Sequence, residues 1–337
     1  MQLTSPAGLV EPVGEVAGSF AIFALGFLDL ILISLRMLTL EHLADLFARH
    51  ADAARVRVTD FSIGGRPFSF NIGQPSIMGV VNLSSDSWYR ESVCLDAASA
   101  IRRGEVLAAQ GAAIVDVGAE STLAKAARVD EISQNSQLLP VVRALRERGI
   151  LVSVETYSAE VAHACLAAGA NVLNLTGSIA ASEIFRAVAE NDAAVVLCYV
   201  QGDHVRAVGD FDFAAEPIRP MYEYFARQID AATGLGVTRI FLDPGLGFYY
   251  RNLQDSAVRV RHQISVFLNT FRLRQLGFPT CHALPHAFEF FREEVRCAEP
   301  FFAVLAALGK TDLLRTHEVP RIRAVLDTLA VAGAAGA

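Results

Sequence analysis

The feature that most restricts the fold is a rhythm. Eight short β-branched or apolar runs, at 77–82, 113–118, 151–156, 171–175, 193–200, 239–243, 278–284 and 311–317, are separated by helix-forming stretches. Strands that alternate with helices are joined by crossovers and so lie parallel, and a parallel sheet needs cover on both faces. Eight such units close into an α/β fold of the (β/α)8 TIM barrel type. An open doubly wound sheet fits less well, because no G-x-G-x-x-G follows the first run. Ahead of the barrel, RVRVTDFSIGGRPFSF (55–70) alternates apolar and polar residues around Gly64-Gly65. That pattern reads as an N-terminal β-hairpin placed to cover the bottom of the barrel.

Helix punctuation supports the same frame. Asp96 is positioned to cap a helix with Ala97, Ile101, Gly104 and Ala108 on one face and Gly111 as its stop. Ser158 starts another, with Val161, Cys165 and Ala168 inward and Gly169 at the end. A longer helix is expected from about Asn252 to Leu276, closed by Gly277 and Pro279.

A barrel of roughly 250 residues accounts for most of a 337-residue chain, so the expected organisation is a hydrophobic, helical N-terminal extension (1–54), the barrel (55–330) and a flexible tail (331–337). A net charge of −7 argues against a nucleic-acid partner. The five cysteines are far apart with no C-x-x-C pair, which fits a reduced compartment and gives no zinc module. The expected location is therefore cytoplasmic. Residues 16–35 qualify this: VAGSFAIFALGFLDLILISL carries one charge, Asp29, and is long enough to cross a bilayer. Two readings stay open, a membrane or surface helix and a packed or non-native extension, since Met37 opens a fresh amphipathic stretch. A secretory signal fits poorly, with no Lys or Arg before Arg36.

In a barrel of this kind chemistry sits at the C-terminal ends of the strands. Those ends carry Asn82, Asp116, Glu155, Asn174, Tyr199, Asp243 and the pair Arg315/His317. Polar groups on apolar strands are costly to bury without partners, so their convergence on one rim points to a site. Carboxylates there suit a flat heterocycle with an amidine-like edge, which donates two parallel N–H bonds. Arg315 and His317, just before Pro320 and a new helix, read as an anion site. Asn82 and Asp86 after the first strand suit a hydrated Mg²⁺ held against a diphosphate. Together these imply a group transfer in which pyrophosphate leaves.

Several segments carry a resemblance. IMGVVNLSSDSW (77–88), GAAIVDVGAEST (111–122), VETYSAEVAHACLAAGANVLN (154–174), FLDPGLGF (241–248) and RTHEV (315–319) resemble, in order and spacing, the signatures of dihydropteroate synthases. The resemblance covers roughly residues 55–330 and identifies the chain as a divergent member of that family. It implies a barrel that joins p-aminobenzoate to a dihydropterin methyl diphosphate in folate synthesis, with Mg²⁺ as cofactor and a homodimeric state. By position, it implies that Asn82 touches the metal or diphosphate, that Asp116, Glu155, Asn174 and Asp243 bind the pterin, and that Arg315 and His317 hold the leaving anion. Ser121 and Thr122 fall on the loop that shapes the aminobenzoate pocket. The cluster Phe288, Phe290, Phe291, Phe301 and Phe302 suits either a dimer contact or ordinary core.

The departures from the family pattern fall mostly on charges. Leu123-Ala124 stands where the family has Arg-Pro, with Lys125 as a nearby flexible substitute, and His282-Ala283-Leu284-Pro285 replaces the strand-seven segment that carries a pterin-reading lysine. Glu155 replaces an Asp, Leu175 another Asp, Tyr249-Tyr250-Arg251 a polar stretch, and CYVQG (198–202) a Met- and Arg-containing one. Desolvated charged contacts are worth about 1.5–3 kcal/mol each, so the expected activity is reduced, altered or lost. The alternative is a non-catalytic pterin-binding or partner-binding barrel. A pterin-dependent methyltransferase, which needs no diphosphate site, is disfavoured by Arg315 and His317. His282 and His286 read as polar fillers of a remodelled rim or, less well, as metal ligands.

Overall fold

The computed structural model describes residues 37–334 apart from 85, 88, 122–125, 179, 214, 215, 249 and 254. The apolar segment 16–35, Thr122, Lys125 and Tyr249 therefore lie outside the described residues. No helix among the described residues is long and apolar enough to cross a membrane. The chain divides into two compact units, one ending at Ala51 and the other beginning at Asp52. In the first, helix α1 (Leu40–Arg49) opens with the Thr39 N–H donated to His42 Nδ1 at 3.1 Å. Glu41 in its first turn and Arg49 in its last match the helix dipole. A short helix α2 (Ala51–Ala54) follows.

All eight predicted runs form strands: β3 (Ser76–Asn82), β4 (Ile114–Gly118), β5 (Val152–Thr156), β6 (Val172–Leu175), β7 (Ala194–Cys198), β8 (Ile240–Asp243), β9 (Cys281–Ala283) and β10 (Leu313–Thr316). They pair in parallel in the order β8-β7-β6-β5-β4-β3-β10-β9. A single parallel bridge, Leu242 to Thr280, joins the two ends of this sheet and completes the barrel. Around it run α3 (Ala97–Ala109), α4 (Glu131–Glu147), α5 (Ala159–Ala167), α6 (Ala181–Glu190), α7 (Ile218–Gly234), α8 (Ser256–Asn269), the short α9 (Phe288–Phe291), α10 (Ala298–Leu308) and α11 (Val319–Ala334). Asp96 and Ser158 cap α3 and α5 as predicted, accepting from the Ser99 and Val161 amides, and Asp130 and Asp255 do the same for α4 and α8. Such caps are worth about 1 kcal/mol each.

Three details differ from the sequence reading. The buried stripe of α3 is Ala100, Gly104 and Leu107, with Ala97, Ile101 and Ala108 only half-buried. Packing sets this rotation: a side-chain carbon at Gly104 would lie 2.8 Å from Leu145 of α4, so the two helices close on that glycine. The long helix expected over 252–276 starts only at Ser256, under the Asp255 cap. It tightens into a 3₁₀ segment over Thr270–Leu276, where the Thr270 hydroxyl donates back to the Val266 carbonyl. Finally, α11 runs to Ala334, so residues 331–334 of the expected tail are helical.

The hairpin β1 (Phe61–Ile63) and β2 (Arg66–Phe68) turns at Gly64 and Gly65, whose φ values of 55° and 80° are those a two-residue hairpin turn needs. Ile63, Phe68 and Phe70 pack with Ile114, Leu151, Val172, Ala194 and Leu313, which lie at or next to the N-terminal ends of the strands. Phe61 and Phe70 meet Phe241 of β8 edge to face, with centroids 5.3 and 5.6 Å apart. Buried Arg274 pairs with Asp312 and donates to the Phe70 carbonyl, which ties the hairpin exit to the start of β10. The bottom of the barrel is thus closed, and the open mouth is at the other end. Of the phenylalanine cluster, Phe302 is core, while Phe290 and Phe301 are exposed.

Phe241→Ala should cost about 3–5 kcal/mol, because it removes the ring on which the hairpin is seated. Urea unfolding checks this, and a loss below about 1 kcal/mol would show that the hairpin does not rest on that side chain.

Candidate active site

The C-terminal strand ends surround a cavity of about 330 Å³. Asn82, Glu155, Asn174, Asp243, Arg315 and His317 all line it, as does Ser121, so most of the rim residues read from the sequence do converge. Two placements differ. Tyr199 packs with Phe211 and Tyr224 away from the cavity, and Asp116, fully buried, sits behind its wall.

Asp116 is the anchor of a charged network. Its Oδ1 accepts from the Ser153 hydroxyl at 2.5 Å, and its Oδ2 accepts from Asn174 Nδ2 at 3.2 Å and from Arg315 Nε at 2.7 Å. The same guanidinium donates through Nη2 to Glu155. β4 contributes Asp116, β5 both Ser153 and Glu155, β6 Asn174 and β10 Arg315; Asp116 is in register with Ser153 and Glu155 with Asn174, and Arg315 reaches the two carboxylates from β10. Burial works against the charge on Arg315, but Glu155 and Asp116 more than offset it and hold the guanidinium more firmly protonated. Burial pushes Glu155 up despite Arg315. The Glu155 carboxylate meets the guanidinium from the end of β5.

Asp243 terminates β8 and accepts from the Gly245 amide at 2.8 Å. Only glycine fits at 245: its φ is +73°, and a side-chain carbon there would sit 2.3 Å from the Tyr199 carbonyl. Burial pushes the Asp243 carboxyl up to about 6, against that hydrogen bond and the field of Arg315. Asn174 is fixed on both sides, donating to Asp116 and accepting from the Cys198 thiol at 3.5 Å.

On the opposite side, Asn82 donates both amide protons, to the Ser87 and Ser92 hydroxyls at 2.8 and 2.7 Å. Asp86 accepts from the Ala127 amide at 3.0 Å, so it joins the loops after β3 and β4. Arg206, which the sequence reading missed, is the main brace of the second loop. It donates to the Ser121, Ala126 and Ala127 carbonyls and pairs with Glu120 at 3.3 Å. It lies in an irregular segment after β7, where no periodicity or motif marks it. Thr122, Leu123, Ala124 and Lys125 of this loop lie outside the described residues.

The last wall is built from His286, Glu299 and His317. Glu299, in the first turn of α10, is fully buried and accepts from the Thr316 hydroxyl and the His317 and Glu318 amides. His317 Nδ1 lies 2.8 Å from its other oxygen and His286 Nδ1 3.6 Å from it. Tyr89 stacks on both imidazoles, with centroids 5.0 and 4.7 Å away, and donates its hydroxyl to Glu318. Burial lowers His317 to about 3 and His286 to about 4, so both are neutral near pH 7. His282 is not part of this wall. It points to the barrel's outer face, 2.6 Å from the Thr270 hydroxyl and against the Phe267 ring. Strand alternation sends Ala283, not His282, into the cavity. Glu299 also escaped the sequence reading, although a lone acid in the apolar stretch AEPFFAVLAAL was a usable signal.

The sequence profile of the family described as pterin binding enzyme matches residues 78–278. A dihydropteroate synthase of Mycobacterium leprae is 31% identical over 269 residues, covering 77% of this chain and 92% of the relative. The type-3 dihydropteroate synthase of Escherichia coli is 28% identical, covering 77% and 99%. Among solved structures, a dihydropteroate synthase of Xanthomonas albilineans with 4-aminobenzoic acid superposes with a TM-score of 0.69 at 26% identity, covering 82% of this chain and 99% of that one. The same enzyme in complex with 7,8-dihydropteroate gives 0.65 at 25% identity, covering 82% and 99%. With the fold, the order of the rim residues and these matches in agreement, the chain belongs to the dihydropteroate synthase family of pterin-binding enzymes.

Proposed function

We propose that the cavity binds a dihydropterin and that the chain acts as a dihydropteroate synthase homologue with weakened chemistry. The observation that carries this reading is the cavity wall itself: Glu155, Asn174 and Asp243, braced by Arg315, present acceptors and an amide to one space of about 330 Å³. A pterin's amide and amino N–H groups are donors of the kind an Asp243 carboxylate accepts in parallel. Relatives solved with 4-aminobenzoic acid and with 7,8-dihydropteroate support the choice of ligands.

In the reaction, the amine nitrogen of p-aminobenzoate bonds to the exocyclic methylene of the pterin as the carbon–oxygen bond to diphosphate breaks. Pyrophosphate departs and the amine proton passes to solvent. The carbon gains positive charge that the ring shares, so carboxylates near the ring favour the transition state. Asn82 fits a role toward Mg²⁺ and diphosphate: with both amide protons donated to serines, its Oδ1 is left as an acceptor. Asn82 would help hold a hydrated Mg²⁺, which when bound would supply positive charge against the leaving diphosphate.

The anion side is weaker. Ala283 contributes no cation, and Arg315 is committed to two carboxylates. Loss of two or three such contacts lowers turnover on the order of 10² to 10⁵-fold. That commitment of Arg315 also favours a second reading, a barrel that binds pterin without turnover. Incubation with dihydropterin methyl diphosphate, p-aminobenzoate and Mg²⁺ separates them: slow pyrophosphate release supports the synthase, and none, with pterin still raising the melting temperature, supports the second reading. Rates like those of an ordinary synthase would contradict the weakened chemistry, and absence of any pterin-induced shift would contradict both.

Pterin affinity should also depend on pH through Asp243. Its carboxyl in the free protein titrates at about 6, and the carboxylate is the form that accepts. Affinity should therefore be full above that pH and fall about tenfold per unit below it. Calorimetric titration between pH 5 and 8 checks this, and a flat profile in the Asp243→Asn variant is the expected control.

A further inference from the structure

We propose that His286, Glu299 and His317 form a binding site for a divalent transition metal such as Zn²⁺, with an open coordination position facing the cavity. The three residues come from the loop after β9, the first turn of α10 and the end of β10, and one ligand atom from each lies within 4.8 Å of the other two. A tetrahedral zinc site with bonds of about 2.0–2.2 Å separates neighbouring ligand atoms by about 3.3–3.6 Å. Reaching that spacing would open the 2.8 Å His317–Glu299 contact and close the widest pair, which lies within 4.8 Å, by roughly 1 Å. His286 follows Pro285 and precedes Ala287, which holds a left-handed conformation with φ of 45°.

Three observations point to a cation here and not to a polar filler. His286 Nδ1 is buried and has no hydrogen-bond partner among the described residues, an expensive arrangement for an imidazole nitrogen 3.6 Å from a carboxylate oxygen. The Glu299 carboxylate is fully buried, yet among the described residues no Lys or Arg forms an ion pair with it. Arg315 is taken by Asp116 and Glu155, and Arg296 and Arg321 by Glu318. A divalent ion would supply the missing positive charge. The outer contacts are already in place: Glu299 is oriented by Thr316 and two backbone amides, and the Tyr89 ring fixes both imidazole planes.

The donor set selects the metal. Two imidazoles and one carboxylate suit zinc and its neighbours, whereas Mg²⁺ prefers an all-oxygen shell. Three protein ligands leave a fourth position for water or a substrate oxygen, and both histidines line the cavity. Coordination through Nδ1 would leave the His317 proton on Nε2, so the imidazole would bind as the neutral form.

The test is metal binding by chelator-treated full-length protein, without pterin or amine, so its outcome is independent of the synthase reading. Zn²⁺ is titrated against a chromophoric chelator, and Co²⁺ is added separately as a spectroscopic probe. The expected results are one Zn²⁺ per chain, resistance to millimolar Mg²⁺, and an intense visible cobalt spectrum of low coordination number. His286→Ala and His317→Ala, checked for folding by circular dichroism, should each weaken Zn²⁺ at least about 100-fold, more than loss of an outer-shell contact. No stoichiometric Zn²⁺, displacement by Mg²⁺, a weak octahedral cobalt spectrum, or undiminished binding in folded variants would each overturn the site.

Discussion

The structure at the mouth depends on one interaction, the Arg315 guanidinium held between Asp116 and Glu155. Asp116 is fully buried, Glu155 nearly so, and buried carboxylates are tolerated only with a compensating charge and satisfied lone pairs. Arg315 supplies the charge; Ser153 and Asn174 supply hydrogen bonds to Asp116. Because these groups come from four strands, the network also fixes the strand ends that shape the cavity. Asn174 is aimed as a consequence, through the same Asp116 oxygen that Arg315 holds.

This arrangement divides the cavity chemically. The side built on β5, β6 and β8 keeps carboxylates and an amide suited to a flat, donor-rich ring. On the other side, Ala283 faces the cavity without a charge, and Arg315 turns inward to the acids. Neutral His317 and His286 contribute no charge of their own near pH 7. The wall that contains them nevertheless has a buried acid, Glu299, with no Arg or Lys partner among the described residues, which is where a metal ion would supply positive charge.

Much of this was legible in the sequence, for local reasons. The eight strands follow from β-branched runs buried on both faces, the hairpin from Gly64-Gly65, and the caps from Asp96 and Ser158, all of which act within a few residues. What failed was set by contacts between distant segments. The face of α3 turned to meet Leu145 of α4, and the expected long helix tightened at Thr270 because its hydroxyl competes for the helix backbone. Asp116 could be placed at a strand end but not behind the wall, since that depends on Arg315 from 199 residues away. Arg206 and Tyr89 gave no signal because irregular segments position them. The separate fates of His282 and His286, four residues apart and so on one face of any continuous strand, follow from the end of β9 at Ala283, after which the chain leaves the strand through Pro285.

The central claim is that Arg315 acts here mainly as the counter-charge that builds the pterin side of the cavity. Its most direct test is the Arg315→Met variant, measured for stability by urea unfolding and for dihydropterin affinity by calorimetry. Leaving Asp116 and Glu155 without their cation should cost about 3–5 kcal/mol of stability, and pterin binding should fall sharply even with no diphosphate on the ligand. A variant as stable as the parent, binding the bare pterin equally well and weakened only toward the diphosphate, would contradict the account and return Arg315 to the role of a simple anion contact.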